Sequence, residues 1–196
     1  MRIEPVTLEG KHVRLEPLGL SHVDALCEVG LDPELWRWTA PDMETPAQMR
    51  DYVLTALSWQ EAGTAIPFVT VDRSSGRVVG STRFANIERA HRRVEIGWTW
   101  IARPWQRTAV NTEAKLLMLR HAFECWNCQR VELKTDALNA ASRRAIARLG
   151  AVEEGLLRHH MLMSGGRLRD TVYFSIIAPE WPAVSERLVA RLDHSL

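Results

Sequence analysis

The sequence is poor in cysteine, in lysine and in long apolar stretches. Three cysteines in 196 residues are too few and too scattered for the disulfide framework of a small extracellular protein. No stretch approaches the roughly 18 consecutive apolar residues that a membrane-spanning helix needs. The first five residues also lack the apolar run of a signal peptide. We therefore expect a soluble cytoplasmic protein with no membrane partner.

An excess of charge of one sign is absent as well. The 25 basic and 24 acidic residues give a formal net charge of +1, which excludes a polycationic nucleic-acid-binding arm and an acidic tail. Hydrophobic residues make up 46% of the chain, as in ordinary soluble domains. A chain of this length buries roughly 70% of its unfolded surface, so its core needs neither a disulfide nor a metal. We predict a single domain over residues 1–196, with no nucleic-acid partner.

One group of residues has the spacing of metal ligands on a helix. His121, Cys125 and Cys128 lie at i, i+4 and i+7, which would place them on one helical face. A structural zinc site usually has four ligands, some of them from distant parts of the chain. The predicted helix is apolar on all sides, so two small buried thiols are the simpler interpretation. We predict that the protein holds no metal.

Hydrophobic periodicity predicts the secondary structure along the whole chain. Alternating patterns predict strands over residues 12–17, 66–72, 78–87, 93–101, 131–135, 152–158 and 171–178. Helical spacing predicts helices over residues 23–29, 46–63, 110–124, 140–149 and 182–192. This order predicts an α/β (α+β) fold with a single mixed, mostly antiparallel sheet of six to seven strands and helices on both faces.

Short local signals mark where some helices begin and end. Ser21 is suited to cap the first helix, and Thr45 with Gln48 has the spacing of a capping box at the second. Asn139 can cap the helix over 140–149, and Gly150 is a good left-handed residue for its end. These residues predict the boundaries of three helices.

Several motifs between residues 95 and 174 resemble the GNAT superfamily of acyl-CoA-dependent N-acyltransferases. The matching segments are residues 95–98 (EIGW), 105–114 (WQRTAVNTEA), 139–142 (NAAS), 148–155 (RLGAVEEG), 169–170 (RD) and 173–175 (YFS). Within that superfamily they resemble the RimJ/RimL group, which acetylates protein N-terminal amines. The resemblance implies a GNAT-like fold over nearly the whole chain. It also implies acetyl-CoA as the co-substrate.

The family's phosphate-binding signature, (Q/R)-x-x-G-x-(G/A), falls on residues 106–111. Ala109 and Asn111 stand where glycines are usual, and Arg107 occupies a position that is often glycine. The resemblance implies that main-chain N–H groups at this helix start hold a pyrophosphate. It further implies that the pantetheine arm pairs with the strand ending at Trp100 and Ile101. The implied cofactor-binding residues are Trp100, Ile101, Gln106, Arg107, Thr108, Ala109, Val110, Asn111, Thr112 and Asn139.

Two residues are candidates for proton transfer during direct attack of an amine on the thioester. The resemblance places Ser142 as proton donor to the CoA thiolate, while a serine that bonds its own helix is the structural alternative. Glu95 is the candidate general base, on the strand face opposite Val94, Ile96, Trp98 and Trp100. Its alternative is a cross-strand ion pair with Arg83 or Arg93. Glu113, a second carboxylate, is better explained as a complement to the helix dipole.

The sequence says least about which amine accepts the acetyl group. A peptide N-terminus is favoured because an α-amine is a far weaker base than a lysine amine and needs less help to lose its proton. A small-molecule amine, such as an antibiotic or polyamine, remains an alternative acceptor. The altered phosphate loop also leaves open a catalytically weak or inactive binding module. A homodimer is a further open alternative.

Overall fold

The computed structural model describes residues 1–39 and 42–193. The strands are β1 (Leu8–Glu9), β2 (Val13–Pro17), β3 (Ile66–Asp72), β4 (Val78–Glu88), β5 (Arg93–Ile101), β6 (Arg130–Asp136), β7 (Val152–Leu162) and β8 (Leu168–Ile177). The α-helices are α1 (Val23–Gly30), α2 (Pro46–Glu61), α3 (Ala109–Arg120), α4 (Ala140–Leu149) and α5 (Trp181–Asp193). No helix in these two ranges is long and apolar enough to cross a membrane.

All the strands join in one sheet with the order β1-β2-β3-β4-β5-β6-β8-β7. The first five strands form an antiparallel meander, β5 and β6 are parallel, and β8 lies antiparallel between β6 and β7. The predicted mixed, mostly antiparallel sheet is confirmed, but the described residues form eight strands in it where six to seven were predicted. The two-residue strand β1 is the addition, and it is too short to show a hydrophobic alternation.

Helices cover both faces of the sheet, as the sequence predicted. Helices α3, α4 and α5 pack on one face, where their apolar residues join strand residues such as Phe84 and Val131 in the larger core. Helices α1 and α2 pack on the other face with Val69 and Trp100. We call these the α3 face and the α2 face. Both faces are buried around the middle strands, which explains why β3 is buried along its entire length.

Helix boundaries follow the predicted caps in two cases and differ in a third. Thr45 and Gln48 form the expected capping box of α2. Asn139 accepts from the main-chain nitrogen of Ser142, and Gly150 ends α4 with φ 97°. Ser21 is not a cap, because it lies inside a 3₁₀ turn, Leu20–His22, that leads directly into α1.

The long central helix changes its winding near its end. It was predicted to run to residue 124, but α3 stops at Arg120 and a π-helical turn, His121–Cys125, follows. Cys128 is buried, which raises the pKa of its thiol to about 11, whereas Cys125 is exposed. These thiols therefore do not share a buried helical face. No group of residues suited to hold a metal ion occurs in the described ranges.

Glu113 joins α3 to the start of the sheet. Its carboxylate accepts hydrogen bonds from the main-chain nitrogens of Lys11, His12 and Val13 at 2.8, 2.6 and 2.7 Å. Gly10 precedes them, and a Cβ added there would lie 2.4 Å from the Glu113 carboxyl carbon. This contact joins residues about 100 positions apart and is a different role from the dipole complement that the sequence predicted.

Candidate active site

An opening between β5 and β6 is the feature around which the candidate site is built. The two parallel strands pair only over residues 93–95 of β5 and 130–132 of β6. Beyond that point β5 continues to Ile101 with no strand of the described residues paired to its β6-facing edge. Unpaired main-chain groups along such an edge can accept an extended ligand as an added strand.

A β-bulge interrupts β5 inside this opening. Trp98 has φ 49°, a left-handed conformation that is uncommon for a bulky residue, and the register with β4 shifts there. The bulge reverses the alternation of side chains, so the Trp98 ring lies on the α2 face, edge-on to the Trp59 ring. The Arg83 guanidinium lies over both the Trp98 and the Tyr52 rings. The prediction that Val94, Ile96, Trp98 and Trp100 share a face is therefore wrong. Val94 and Ile96 lie on the α3 face, and the two tryptophans lie on the α2 face with Glu95.

The bulge is held by side chains from both faces of the sheet. On the α2 face, the Tyr52 hydroxyl donates to the Trp98 carbonyl at 3.4 Å. On the α3 face, the hydroxyls of Thr82 and Thr99 lie 2.7 Å apart, and both lie within 3.5 Å of the Gly97 carbonyl. These contacts fix the main chain that would face a ligand in the opening.

The turn from β5 into α3 has the geometry of an anion cradle. The Gln106 side chain donates to the Ile101 carbonyl at 2.9 Å, which ties the turn to the end of the strand. Arg107 has φ 59°, the conformation that glycine would adopt most easily. Thr108 caps α3 by accepting from the Val110 nitrogen at 3.3 Å. The exposed main chain thus leads to the positive end of the helix dipole, where the first-turn N–H groups other than that of Val110 have no intrahelical acceptor.

The first turn of α3 fits a cofactor despite the missing glycines. Val110 is buried in the core, and its main-chain N–H already donates to the Thr108 hydroxyl. Ala109 adds one methyl group, and Thr112 is partly buried. The Oδ1 atom of Asn111 is buried and has no hydrogen-bond partner among the described residues. A buried acceptor without a donor costs free energy, and diphosphate oxygens cannot satisfy it because they only accept. A diphosphate contact at Asn111 would therefore come from its main-chain N–H group in the first turn of α3.

A second helix begins at the same edge of the opening. Because β5 and β6 are parallel, the starts of α3 and α4 both follow strand ends on one side of the sheet. Asn139 caps α4, as predicted, so its side-chain oxygen is already engaged. The Ser142 hydroxyl makes no hydrogen bond within residues 1–39 and 42–193, so it does not bond its own helix. That observation removes the structural alternative for this hydroxyl.

Glu95 lies where the two strands begin to separate. It is 2% exposed, and its Oε2 atom lies 2.9 Å from the Lys134 ammonium and 2.8 Å from the Asn86 amide nitrogen. An ion pair does form, but the predicted partners are wrong. Arg83 lies over aromatic rings, and Arg93 pairs with Glu132.

Sequence reasoning missed Lys134 and the residues around it. Its ammonium lies 5.6 Å from the Trp98 ring centroid and 5.7 Å from that of Tyr173, so two aromatic faces and one carboxylate surround it. His160 packs edge-on against Tyr173, and burial is the main cause that lowers its pKa. No local pattern could have found this cluster, because its members come from β5, β6, β7 and β8. The low lysine content of the sequence was a signal that each lysine position merited attention.

Known proteins share both the sequence and the architecture. A putative acetyltransferase from T. thermophilus is 38% identical, with a TM-score of 0.88 over 98% of this chain and 100% of that one. The structure of Mycobacterium smegmatis RimJ in complex with CoA-disulfide is 26% identical, with a TM-score of 0.83 over 95% of each chain. The putative ribosomal N-acetyltransferase YdaF of Bacillus subtilis is 31% identical over 106 residues, 54% of this chain and 57% of that protein.

The match to a family model covers the features just described. The acetyltransferase (GNAT) domain matches residues 12–152, which contain the opening, the bulge and the starts of α3 and α4. The chain therefore belongs to the GNAT family and is an acyl-CoA-dependent N-acetyltransferase.

Proposed function

We propose that the protein transfers an acetyl group from acetyl-CoA to the α-amine of a protein N-terminus by direct attack in a ternary complex. The observation that carries this proposal is the unpaired edge of β5 with its bulge, next to the cradle at the start of α3. The similarity to YdaF, named as a putative ribosomal N-acetyltransferase, supports a protein acceptor.

The cofactor's pantetheine arm would lie along residues 96–101 as an added strand. Its pyrophosphate would then reach the N–H groups of residues 107–112, where the helix dipole favours negative charge. The left-handed backbone of Trp98 in the bulge would turn main-chain N–H groups into the opening, where they would stabilise the oxyanion of the tetrahedral intermediate. The side chains of Trp100 and Ile101 are buried, so these residues contribute through their main chain.

The chemical step needs two proton transfers. The neutral amine nitrogen attacks the thioester carbonyl carbon, and collapse of the intermediate breaks the carbon–sulfur bond. Ser142 would pass a proton to the departing thiolate and regain one from water, because its hydroxyl lies free at the start of α4. Glu95 would receive the amine proton through water, because Lys134 and Asn86 already occupy one of its oxygens.

The modest basicity required at Glu95 favours an α-amine as acceptor. An α-amino group with a pKa near 8 is roughly one-tenth neutral at pH 7, whereas a lysine amine near 10.4 is only about 0.04% neutral. Glu95 accepts from the Lys134 ammonium and the Asn86 amide at one oxygen, which leaves only its other oxygen for the proton of the acceptor. This difference supports N-terminal over lysine acetylation.

The proposal is tested by thiol release from acetyl-CoA with matched peptides. One peptide has a free N-terminus and no lysine, a second has a blocked N-terminus and one internal lysine, and a third has neither amine. Aminoglycosides and polyamines complete the panel. We expect turnover with the first peptide only. Faster turnover with the lysine peptide or with a small amine would contradict the proposed acceptor.

We predict that Ser142→Ala lowers kcat about tenfold and leaves the Kd for acetyl-CoA unchanged. The effect is smaller than the roughly 100-fold or more that is typical of general acid catalysis, because a thiol with a pKa near 8.5 leaves readily without a donor. Turnover at saturating substrates and isothermal titration with acetyl-CoA measure the two quantities. Ser142→Thr keeps the hydroxyl and serves as control. A kcat equal to that of the wild type would remove Ser142 from the mechanism.

A further inference from the structure

A fully buried lysine lies beneath the bulge of β5. Lys115 is on α3 and is 5% exposed. Its ammonium nitrogen lies 3.1 Å from the Thr82 hydroxyl and 2.5 Å from the Thr99 hydroxyl. No carboxylate of the described residues lies within ion-pair distance of it. The mechanism proposed above does not use this group.

Such a lysine is unfavourable for folding. Burial without a counter-ion disfavours the charged form, which lowers the pKa of Lys115 to about 7. Below that pH the Lys115 side chain is charged in both the folded and the unfolded chain. The folded state then bears the full free-energy cost of removing this charge from water. Stability alone therefore gives no reason for a lysine at a site that methionine could fill.

The hydrogen bonds of Lys115 lead directly to the bulge. As an ammonium, Lys115 donates to the Thr82 and Thr99 hydroxyls. One of these hydroxyls can then donate to the other, and the second can donate to the Gly97 carbonyl. Thr99 follows Trp98, the residue with φ 49°. Through the two threonines the lysine reaches the Gly97 carbonyl, just before Trp98, from the α3 face, while Tyr52 donates to the Trp98 carbonyl from the other face.

We infer that Lys115 is a positioning residue for acetyl transfer, which holds the β5 bulge through Thr82 and Thr99 in the conformation that presents its N–H groups to the thioester. The inference rests on the proposed role of the bulge in the reaction. A lysine that acts in this way affects the transition state through main-chain geometry, without contact with either substrate.

The test replaces each side of this contact separately. Lys115→Met removes the charge at nearly constant volume, and Thr99→Val removes the hydroxyl at nearly constant shape. Leu119→Met, at a fully buried position one turn further along α3, controls for repacking of the helix. Thr70→Val, at a fully buried position of β3, controls for loss of a threonine hydroxyl from the sheet.

We expect Lys115→Met to lower kcat at least tenfold, with KM for acetyl-CoA within threefold of the wild type. Its melting temperature at pH 6 should equal or exceed that of the wild type. Thr99→Val should act in the same direction, and the double variant should be no slower than the slower single variant. Both controls should keep wild-type kcat. A Lys115→Met enzyme with kcat within threefold of the wild type would overturn the inference.

A second measurement does not depend on turnover. Amide spectra of the ligand-free protein should show large shifts for residues 97–100 in Lys115→Met and small ones in Leu119→Met. Unchanged amides in this segment would also overturn the inference. These two measurements separate a failure of this inference from a failure of the proposed function. If the proposed function were wrong, the wild type would show no acetyl transfer, but the amide shifts would still report the link between Lys115 and the bulge.

Discussion

The Asn111→Asp variant is expected to bind acetyl-CoA at least about 100-fold more weakly than the wild type. The change is isosteric and adds one negative charge at the third residue of α3. Two unit charges about 5 Å apart at an effective dielectric constant near 20 repel by about 3 kcal/mol, which corresponds to more than 100-fold in affinity. Isothermal titration with acetyl-CoA at low ionic strength measures the loss, and added salt should reduce it.

The same substitution elsewhere provides a matched control. Gln48 is the third residue of α2, so Gln48→Glu makes the same amide-to-carboxylate change at the same helical position away from the opening. Acidic residues are favourable in the first turn of a helix, which offsets part of the cost of placing a carboxylate at the buried Oδ1 position of Asn111. The melting temperature of each ligand-free variant checks that it is folded before its affinity is compared. We expect Gln48→Glu to bind acetyl-CoA as the wild type does. Equal affinities for the two variants would show that the pyrophosphate does not lie at the start of α3.

Glu113→Ala is expected to lower the free energy of unfolding by about 3 to 4 kcal/mol. The substitution leaves three main-chain N–H groups, at Lys11, His12 and Val13, without their charged acceptor. Hydrogen bonds to charged groups contribute about 1.5 to 3 kcal/mol each, and water can replace part of the loss near the surface. For a protein of this size the melting temperature should fall by roughly 10 °C. Glu61→Ala, at an exposed position of α2, should change it little.

A double-mutant cycle with Gly10 isolates the contact. Gly10→Ala introduces a Cβ that would lie 2.4 Å from the Glu113 carboxyl carbon, so the variant should be unstable in the wild-type background. In the Glu113→Ala background that carboxyl group is absent, and Gly10→Ala should cost little more. Additive losses in the double variant would contradict the role assigned to Glu113.

The features that the sequence predicted correctly depend on short-range chemistry. Thr45 with Gln48, and Asn139 with Gly150, carry their capping information within a few residues, so the starts of α2 and α4 could be located. The motif at residues 106–111 also lies in one turn, and its phosphate-binding role stays a prediction. The prediction that Ser21 caps α1 is wrong because Ser21 lies inside a 3₁₀ turn that precedes α1.

The features that were missed depend on how distant strands meet. The bulge at Trp98 is a mismatch in pairing between β4 and β5, and it reversed the faces of both tryptophans. The partner of Glu95 is Lys134 because β5 and β6 diverge just beyond their last pair, which no spacing within either strand encodes. Lys115 could have been suspected from a lone lysine in a helix predicted to be apolar on all sides.

The structure of the protein crystallised with coenzyme A tests the account most directly. We expect diphosphate oxygens within about 3.2 Å of main-chain nitrogens in residues 107–112, and the pantetheine arm paired with residues 96–101 of β5. A nucleotide bound elsewhere, or side chains of Arg107 and Asn111 closing the cradle against it, would contradict the account.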